Sequence, residues 1–359
     1  MVYCIIFKME FINNENESAE CVRTMDSLDV QLGSRQDIVY TTQNSDSTEF
    51  TMALFDGHGH TQYNKNPFTG GYAKHNLTVL VIQDMMKKKA GEDKPAIDAH
   101  LEKDIYSIHD NPAMSLQRAI AKVCKDNKRD TLNEGATFIL VQVRVKDGKT
   151  VVNVLSVGDS TVIIHRNGEK VFESDAQTHT NQTEIDRLVR ENRLANPLVP
   201  TRNSTAGFEV LDRQTLCANL GKYVLFKKDV VITPTQSIGH IHYDHRLDTV
   251  SDEMGVTGIA PQVATFEFLE TDVINIKGYS DGVSDVVKSV LPDDADFLKT
   301  SDAKTTANLA TFRWKQDWRF VYRSAFEKAK TTGGIPSFSK YNFGDGADDV
   351  SCFSFIQKH

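Results

Sequence analysis

Cysteine is scarce and scattered: five residues (Cys4, Cys21, Cys124, Cys217 and Cys352) in a chain of 359. No two form a C-x-x-C pair, which excludes zinc-ribbon and thioredoxin-like motifs. A sparse, odd set fits a reducing compartment. None lies in a phosphate-loop context, so a thiolate nucleophile is not expected. Long apolar runs are also missing. Nothing approaches the ~20 residues that cross a bilayer. The opening MVYCIIFKMEF is apolar for only a few residues and has no basic leader, so no secretory signal is read there. Concentrated positive charge is lacking too. The formal charge is -8, the isoelectric point is near 5.8, and the short cluster Lys87-Lys88-Lys89 reads as a solvated helix end. There is no repeat at solenoid periods, no Pro- or Ser-rich linker and no G-x-x-x-x-G-K-[ST] loop. These absences predict a soluble, cytoplasmic or nuclear monomer with no nucleic-acid or membrane partner.

What is present is an ordinary globular balance, 40% hydrophobic and 25% charged. Residues 1–30, including NNENESAE, are mixed and polar and read as a mobile N-terminal extension. From about 36 the pattern turns strand-like in DIVYTT and EFTMALFD. Helical spacing is predicted over 71–90, 113–126 and 183–194, and over a long stretch near 304–330. Between them ATFILVQVRV and TVVNVLSV flank Asp147-Gly148, and TVIIHR and EKVFE flank Asn167-Gly168. Both read as hairpins. QVATFEF, DVINIKGY and the final DVSCFSFI add strands, and VSDVVKSVL opens a helix. Hairpins interrupted by paired helices predict an α+β layered domain over 31–359, sheets inside and helices outside, with an irregular region at 196–260.

Several aspartates share one context. Asp37 opens a strand, Asp56 ends one before Gly57, and Asp159 follows Gly158 after an apolar run. Asp281 stands between Ser280 and Gly282, and Asp348-Asp349 precede the last strand. Each is predicted at the rim of a sheet beside small residues. Any single Asp-Gly or Gly-Asp is an ordinary turn dipeptide; Asp147-Gly148 is read that way. As a converging set, however, carboxylates suit Mg2+ or Mn2+, hard ions that take oxygen ligands in octahedral geometry. Glycine beside them lets backbone come close. Two such ions can activate a water and clamp a phosphoryl oxygen.

Read in order, SRQDIVY, MALFDGHGH, EGATFILVQV, VLSVGDSTVII, VINIKGYSDGVSDVV and GADDVSCFSFI resemble the metal-dependent serine/threonine protein phosphatases of the 2C type, the PPM family. TPTQSIGH and GVTGIAPQVATFEF look like weaker versions of two further segments. The resemblance implies a four-layer αββα sandwich, two central antiparallel sheets flanked by helices, with the metal centre at one end. It implies that Asp56 bridges two Mg2+ or Mn2+ ions, that the Gly57 carbonyl binds one, and that Asp281 and Asp348 complete the first. Asp37 would act through water, and Asp159 would belong to a weaker, third ion. His58 matches the general acid for the departing serine or threonine oxygen. The implied activity is hydrolysis of phosphoserine and phosphothreonine in a protein substrate by direct attack of a metal-activated water, without a phosphoenzyme.

The sequence departs from the family at places that concern substrate grip. At the usual spacing before Asp37 stands Leu32, not an arginine. Arg35 is the nearby phosphate-binding candidate, out of register, and Arg23 is further off. In TPTQSIGH the family arginine is Gln236 and the usual aspartate is His240. Asp349 stands where asparagine is common. GHIHYDH (His240, His242, Asp244, His245) reads as a polar surface loop beside the active site rather than a transition-metal site. An alternative reading is a pseudophosphatase, the same fold serving as a scaffold. A nucleotide-cleaving phosphohydrolase is disfavoured for want of a phosphate loop.

Overall fold

Alternating apolar side chains and two forced turns set out most of the architecture. In a computed structural model the chain is described over residues 21–32, 36–59, 62–65, 72–195, 224–287, 299–316 and 348–358. Its longer strands, in chain order, are β1 (Val22–Val30), β2 (Ile38–Gln43), β3 (Glu49–Phe55), β4 (Phe138–Lys146), β5 (Lys149–Val157), β6 (Thr161–Arg166), β7 (Glu169–Glu173), β8 (Gln262–Leu269), β9 (Ile274–Tyr279) and β10 (Val350–Lys358). They pair antiparallel into two five-stranded sheets, ordered β1-β10-β9-β6-β7 and β8-β5-β4-β3-β2. The β4–β5 hairpin turns at Asp147 (φ 53°) and Gly148 (φ 72°), and the β6–β7 hairpin at Asn167 (φ 54°) and Gly168 (φ 82°). Both central residues are left-handed, the turn whose twist suits a two-residue hairpin.

Period-two alternation sorts side chains to the two faces of each sheet. Phe50, Met52 and Leu54 of β3 join Ile139, Val141 and Val143 of β4 between the sheets. There they meet Ile274 and Ile276 of β9 and Phe353 and Phe355 of β10. The opposite face of the second sheet, with Ala53, Phe55, Leu140 and Leu155, is covered by α1 (Leu77–Met85) and α2 (Pro112–Asp126). Tyr279 and Cys352, on the outer face of the first sheet, pack with Val283 and Val286 of α4 (Asp281–Val287) and with Ala303, Ala307 and Ala310 of a helical stretch, 303–316. Helix α3 (Gln182–Arg190) closes a smaller cluster with Val224 and Phe226. The result is the α+β layering that the sequence pattern predicts, in the αββα form that the resemblance implies. Among the described residues, no helix is long and apolar enough to cross a membrane.

Three differences are informative. Val22–Val30, read as the end of an extension, is a strand paired along its whole length with β10. Its backbone ladder holds it, with Met25, Leu28 and Val30 packed against the cores beside it. The helix predicted over 71–90 spans only Leu77–Met85, because Asn76 caps it by accepting from the Val79 amide, and Tyr72–His75 is strand. Of the long helix predicted near 304–330, residues 303–316 are helical and the remainder lies outside the described residues. A minor three-stranded sheet, Gly57–Gly59 with Glu134–Ala136 and then Ile238–Gly239, stands at one end of the sandwich. It carries His58.

Candidate active site

The end of β3, the start of β2, the end of β5, the β9–α4 junction and the start of β10 deliver Asp56, Asp37, Asp159, Asp281 and Asp348 to one rim. Asp56 is fixed by Thr137, whose hydroxyl accepts from the Asp56 amide (3.3 Å) and whose amide donates to the Asp56 carbonyl (2.9 Å). The Thr137 hydroxyl also meets Ser160 (2.7 Å), the residue after Asp159. Gly158 sits at φ 103°, and a Cβ there would stand 2.7 Å from the Thr137 side chain. Glycine is thus needed twice over, for the turn and for the close approach. On the other sheet the Ser280 amide donates to the Ser351 carbonyl (3.0 Å), and the Ser351 amide to the Ser280 hydroxyl (3.1 Å). That pair locks the start of α4 to the start of β10. A Cβ at Gly282 would overlap the Asp349 carbonyl. Asp281 and Asp348 are thereby held side by side.

The two sheets meet through these groups. The Asp281 amide donates to Asp56 Oδ2 at 3.4 Å, and the Gln36 amide, beside Asp37, donates to Asp349 Oδ2 at 2.9 Å. Asp349 also donates its amide to Asp348 Oδ1 (3.0 Å). Burial first, and then neighbouring carboxylates, push the Asp37, Asp56 and Asp281 carboxyls well above the usual carboxylate range. Asp348 is raised as well, chiefly by burial. Asp56 feels the charge of Asp37, Asp348 and Asp159, and Asp281 that of Asp56, Asp348 and Asp159. Asp29 on β1, a residue with no motif around it, is pushed up to about 6 by burial and the nearby Asp349.

These residues fit a divalent cation in two respects. The donor set is all oxygen, as hard ions require. Asp37 Oδ2 and Asp281 Oδ1 are buried without a hydrogen-bond partner, an arrangement that a protein keeps at a cost unless something else satisfies them. Among the described residues no three His, Cys, Asp or Glu side chains already stand at the spacing of a finished ion cage.

The cleft at this rim has a volume of about 340 Å³ and is lined by Asp56, His58, Thr137, Asp159 and Asp281, with Val230–Pro234 along one wall. His58 Nε2 stands 3.0 Å from His240 Nε2, and His240 Nδ1 lies 2.9 Å from the Leu132 carbonyl. Burial lowers both rings, His58 to about 3, with the His240 charge adding to the effect, and His240 to about 4. The surface-loop reading of GHIHYDH fails for its first member in exposure though not in place: His240 is fully buried and lies beside the site, against His58. Two-residue strands such as Ile238–Gly239 carry no readable period, so nothing in the sequence marks it as a neighbour of His58. The rest of the cluster disperses. Asp244 accepts from the Arg246 and Leu247 amides, and His245 packs edge-on to Tyr243.

Substrate grip is less complete. Arg35 lies outside the described residues. Arg23 is on β1, engaged by Glu270 and Gln357. Gln236, at the family arginine position, accepts from the Ala260 amide (2.8 Å). No lysine or arginine is among the described residues lining the cleft.

The family model described as protein phosphatase 2C matches residues 21–202, just over half of the chain. Comparison with curated proteins returns no match. Similar solved structures include a serine/threonine phosphatase of S. agalactiae (15% identity, 93% of this chain and 99% of that one, TM-score 0.42). The Mycobacterium tuberculosis serine/threonine phosphatase PstP/Ppp is alike at 15% identity over 94% and 99%, TM-score 0.41. A serine-threonine phosphatase 2C of Toxoplasma gondii is alike at 12% over 94% and 99%, TM-score 0.43. At these low values the assignment rests on the family-model match, which begins at the first described residues of β1 and runs through α3. The chain belongs to the protein phosphatase 2C family, the metal-dependent phosphoprotein phosphatases.

Proposed function

We propose that this chain hydrolyses phosphoserine or phosphothreonine in a protein substrate, and that its cleft holds two ions of Mg2+ or Mn2+, with a weaker third. One observation carries the reading: Asp56, Asp281 and Asp348, at the ends of strands of two sheets, come close enough that burial and neighbouring carboxylates raise all three. Such a set costs stability. The ligands would be Asp56, the Gly57 carbonyl, Asp281 and Asp348, with Asp37 one water removed and Asp159 for the weaker ion. When bound, the ions supply a water of lowered pKa and neutralise phosphate charge.

The chain's own groups do the rest. Thr137 fixes the Asp56 backbone, and the Gln36 amide steadies Asp349 beside Asp348. His58 is the group assigned to protonate the departing serine or threonine oxygen. Burial lowers its half-buried ring, while the Asp56 carbonyl favours the protonated form. An arriving phosphate dianion does the same by its charge. Arg35 remains the phosphate-gripping assignment. The domain is taken to begin with β1.

The test is phosphate release from a phosphothreonine peptide and from p-nitrophenyl phosphate, with manganese and then with chelator. Turnover that requires manganese is expected. Leu32 and Gln236, at positions where the family carries arginine, motivate a second reading, a pseudophosphatase scaffold. Well-folded protein that binds manganese yet releases no phosphate would establish that one instead.

A further inference from the structure

We propose that His240 is a positioning residue for His58, and that Gly135 is glycine because the two rings meet over it. This rests on the phosphatase reading for its catalytic consequence, though not for the contact itself. The tautomers are assigned from the acceptors. The Leu132 carbonyl can only accept, so His240 carries its proton on Nδ1 and donates there at 2.9 Å. Its Nε2 is then a lone pair. The 3.0 Å contact to His58 Nε2 must be made by a proton on His58. His58 is thus held as the Nε2–H tautomer, donating into a buried neutral acceptor. Nδ1 takes up the second proton, the state that the Asp56 carbonyl favours, and is the nitrogen that gives it to the leaving oxygen. The same acceptor serves the protonated ring, so the imidazole keeps one orientation through the reaction.

The minor sheet builds this contact. Gly57–Gly59, Glu134–Ala136 and Ile238–Gly239 are neighbouring strands, with His58 registered opposite Gly135 and His240 immediately following the third strand. The rings stack at a 25° interplanar angle with centroids 5.2 Å apart. A Cβ at Gly135 would overlap His240 Nε2 and stand 3.0 Å from His58 Nε2. A methyl group there falls between the two nitrogens. Gly239, at φ 95°, turns the chain so that His240 enters from the far side, and the Gln117 side chain accepts from its amide at 2.7 Å.

The experiment exploits leaving-group chemistry. Nitrophenolate departs without a proton, whereas a threonine alkoxide needs one. His240→Leu and Gly135→Ala should each lower kcat on a phosphothreonine peptide by ~10-fold or more, with KM and manganese affinity unchanged. On p-nitrophenyl phosphate the loss should be under about 3-fold. His240→Gln, whose amide oxygen can accept from His58, should recover most of the peptide activity. Equal losses on both substrates, or no recovery by glutamine in a folded protein, would overturn the positioning role. Ring-nitrogen NMR of the wild type reads the contact independently of activity. An Nε2–H signal for His58 and an Nδ1–H signal for His240 are expected, and the opposite tautomers would overturn the assignment. If the wild type cleaves neither substrate, the phosphatase reading and the catalytic role fall together, while the NMR result still decides the contact.

Discussion

Asp281 shows what the rim asks of a single side chain. Its carboxyl is buried, faces three others and has one oxygen without a partner. Asp281→Asn removes a repelling acid while keeping the shape. The metal-free variant should melt at or above the wild-type temperature, whereas manganese should no longer raise it and turnover should fall by at least ~100-fold. Thermal scans with and without manganese, beside the peptide assay, check this; wild-type activity would remove Asp281 from the ligand set. His165, far from the rim, controls a different quantity. Burial first, then Lys277, Lys299 and Lys170, lower its ring to about 4. An unfolded chain takes up that proton near pH 6.5. Between those values the unfolded state binds the proton and the native state does not. The stability drawn from the neutral ring is therefore present above pH 6.5 and is lost as pH falls towards 4, by about 1–2 kcal/mol once solvent screening is allowed for. Urea titrations across that window should show a flatter pH dependence in His165→Gln than in wild type. Single residues are legible in the sequence where chemistry and neighbours coincide, as in Asp281 between Ser280 and Gly282. Asp29 and His240 are not, because their meaning comes from the charge of Asp349 and the contact with His58, which only the fold creates.

At the scale of elements, strands with a buried stripe and a left-handed turn are readable from the amino-acid order alone. β3, β4 and β5 alternate cleanly, and Asp147-Gly148 and Asn167-Gly168 admit little but a hairpin. Elements held by a partner are not. β1 shows no clean alternation and exists because β10 offers it a full ladder. Helix α1 starts at Leu77 because Asn76 caps it, a signal hidden inside a longer apolar run. The junction of α4 with β10 is the element on which the site depends most. Gly282→Ala sets a methyl against the Asp349 carbonyl, so α4 and β10 must part. A loss of about 1–3 kcal/mol in urea denaturation is expected, together with most of the manganese-dependent turnover. Gly148→Ala is the control. It meets nothing within 4 Å but sits at φ 72°, so it should cost about 1 kcal/mol and leave kcat unchanged.

For the whole molecule, antiparallel order decides where chemistry can stand. Neighbouring antiparallel strands end and begin at the same edge, so β2 and β3 bring Asp37 and Asp56 together on one sheet, and β9 and β10 bring Asp281 and Asp348 together on the other. Each sheet contributes only half of the candidate ligand set. Away from the rim the seam between them is closed mostly by apolar packing, including the 5.0 Å edge contact of Phe50 with Phe355, with Thr150 donating to Gln357 across it. A cation shared by Asp56, Asp281 and Asp348 would therefore tie one sheet to the other at the rim. Anything that binds only the native state stabilises it, by about 2.7 kcal/mol at a hundred times the dissociation constant. That should raise the melting temperature by several degrees, reversibly with chelator. Location distinguishes this ion from one adsorbed on the surface. Hydrogen exchange with manganese should slow at the end of β3 and at the start of β10 together, one on each sheet, while the β4–β5 and β6–β7 turns stay unchanged. Slowing on one sheet alone, or melting unaffected by manganese in active protein, would mean that these three carboxylates do not share an ion.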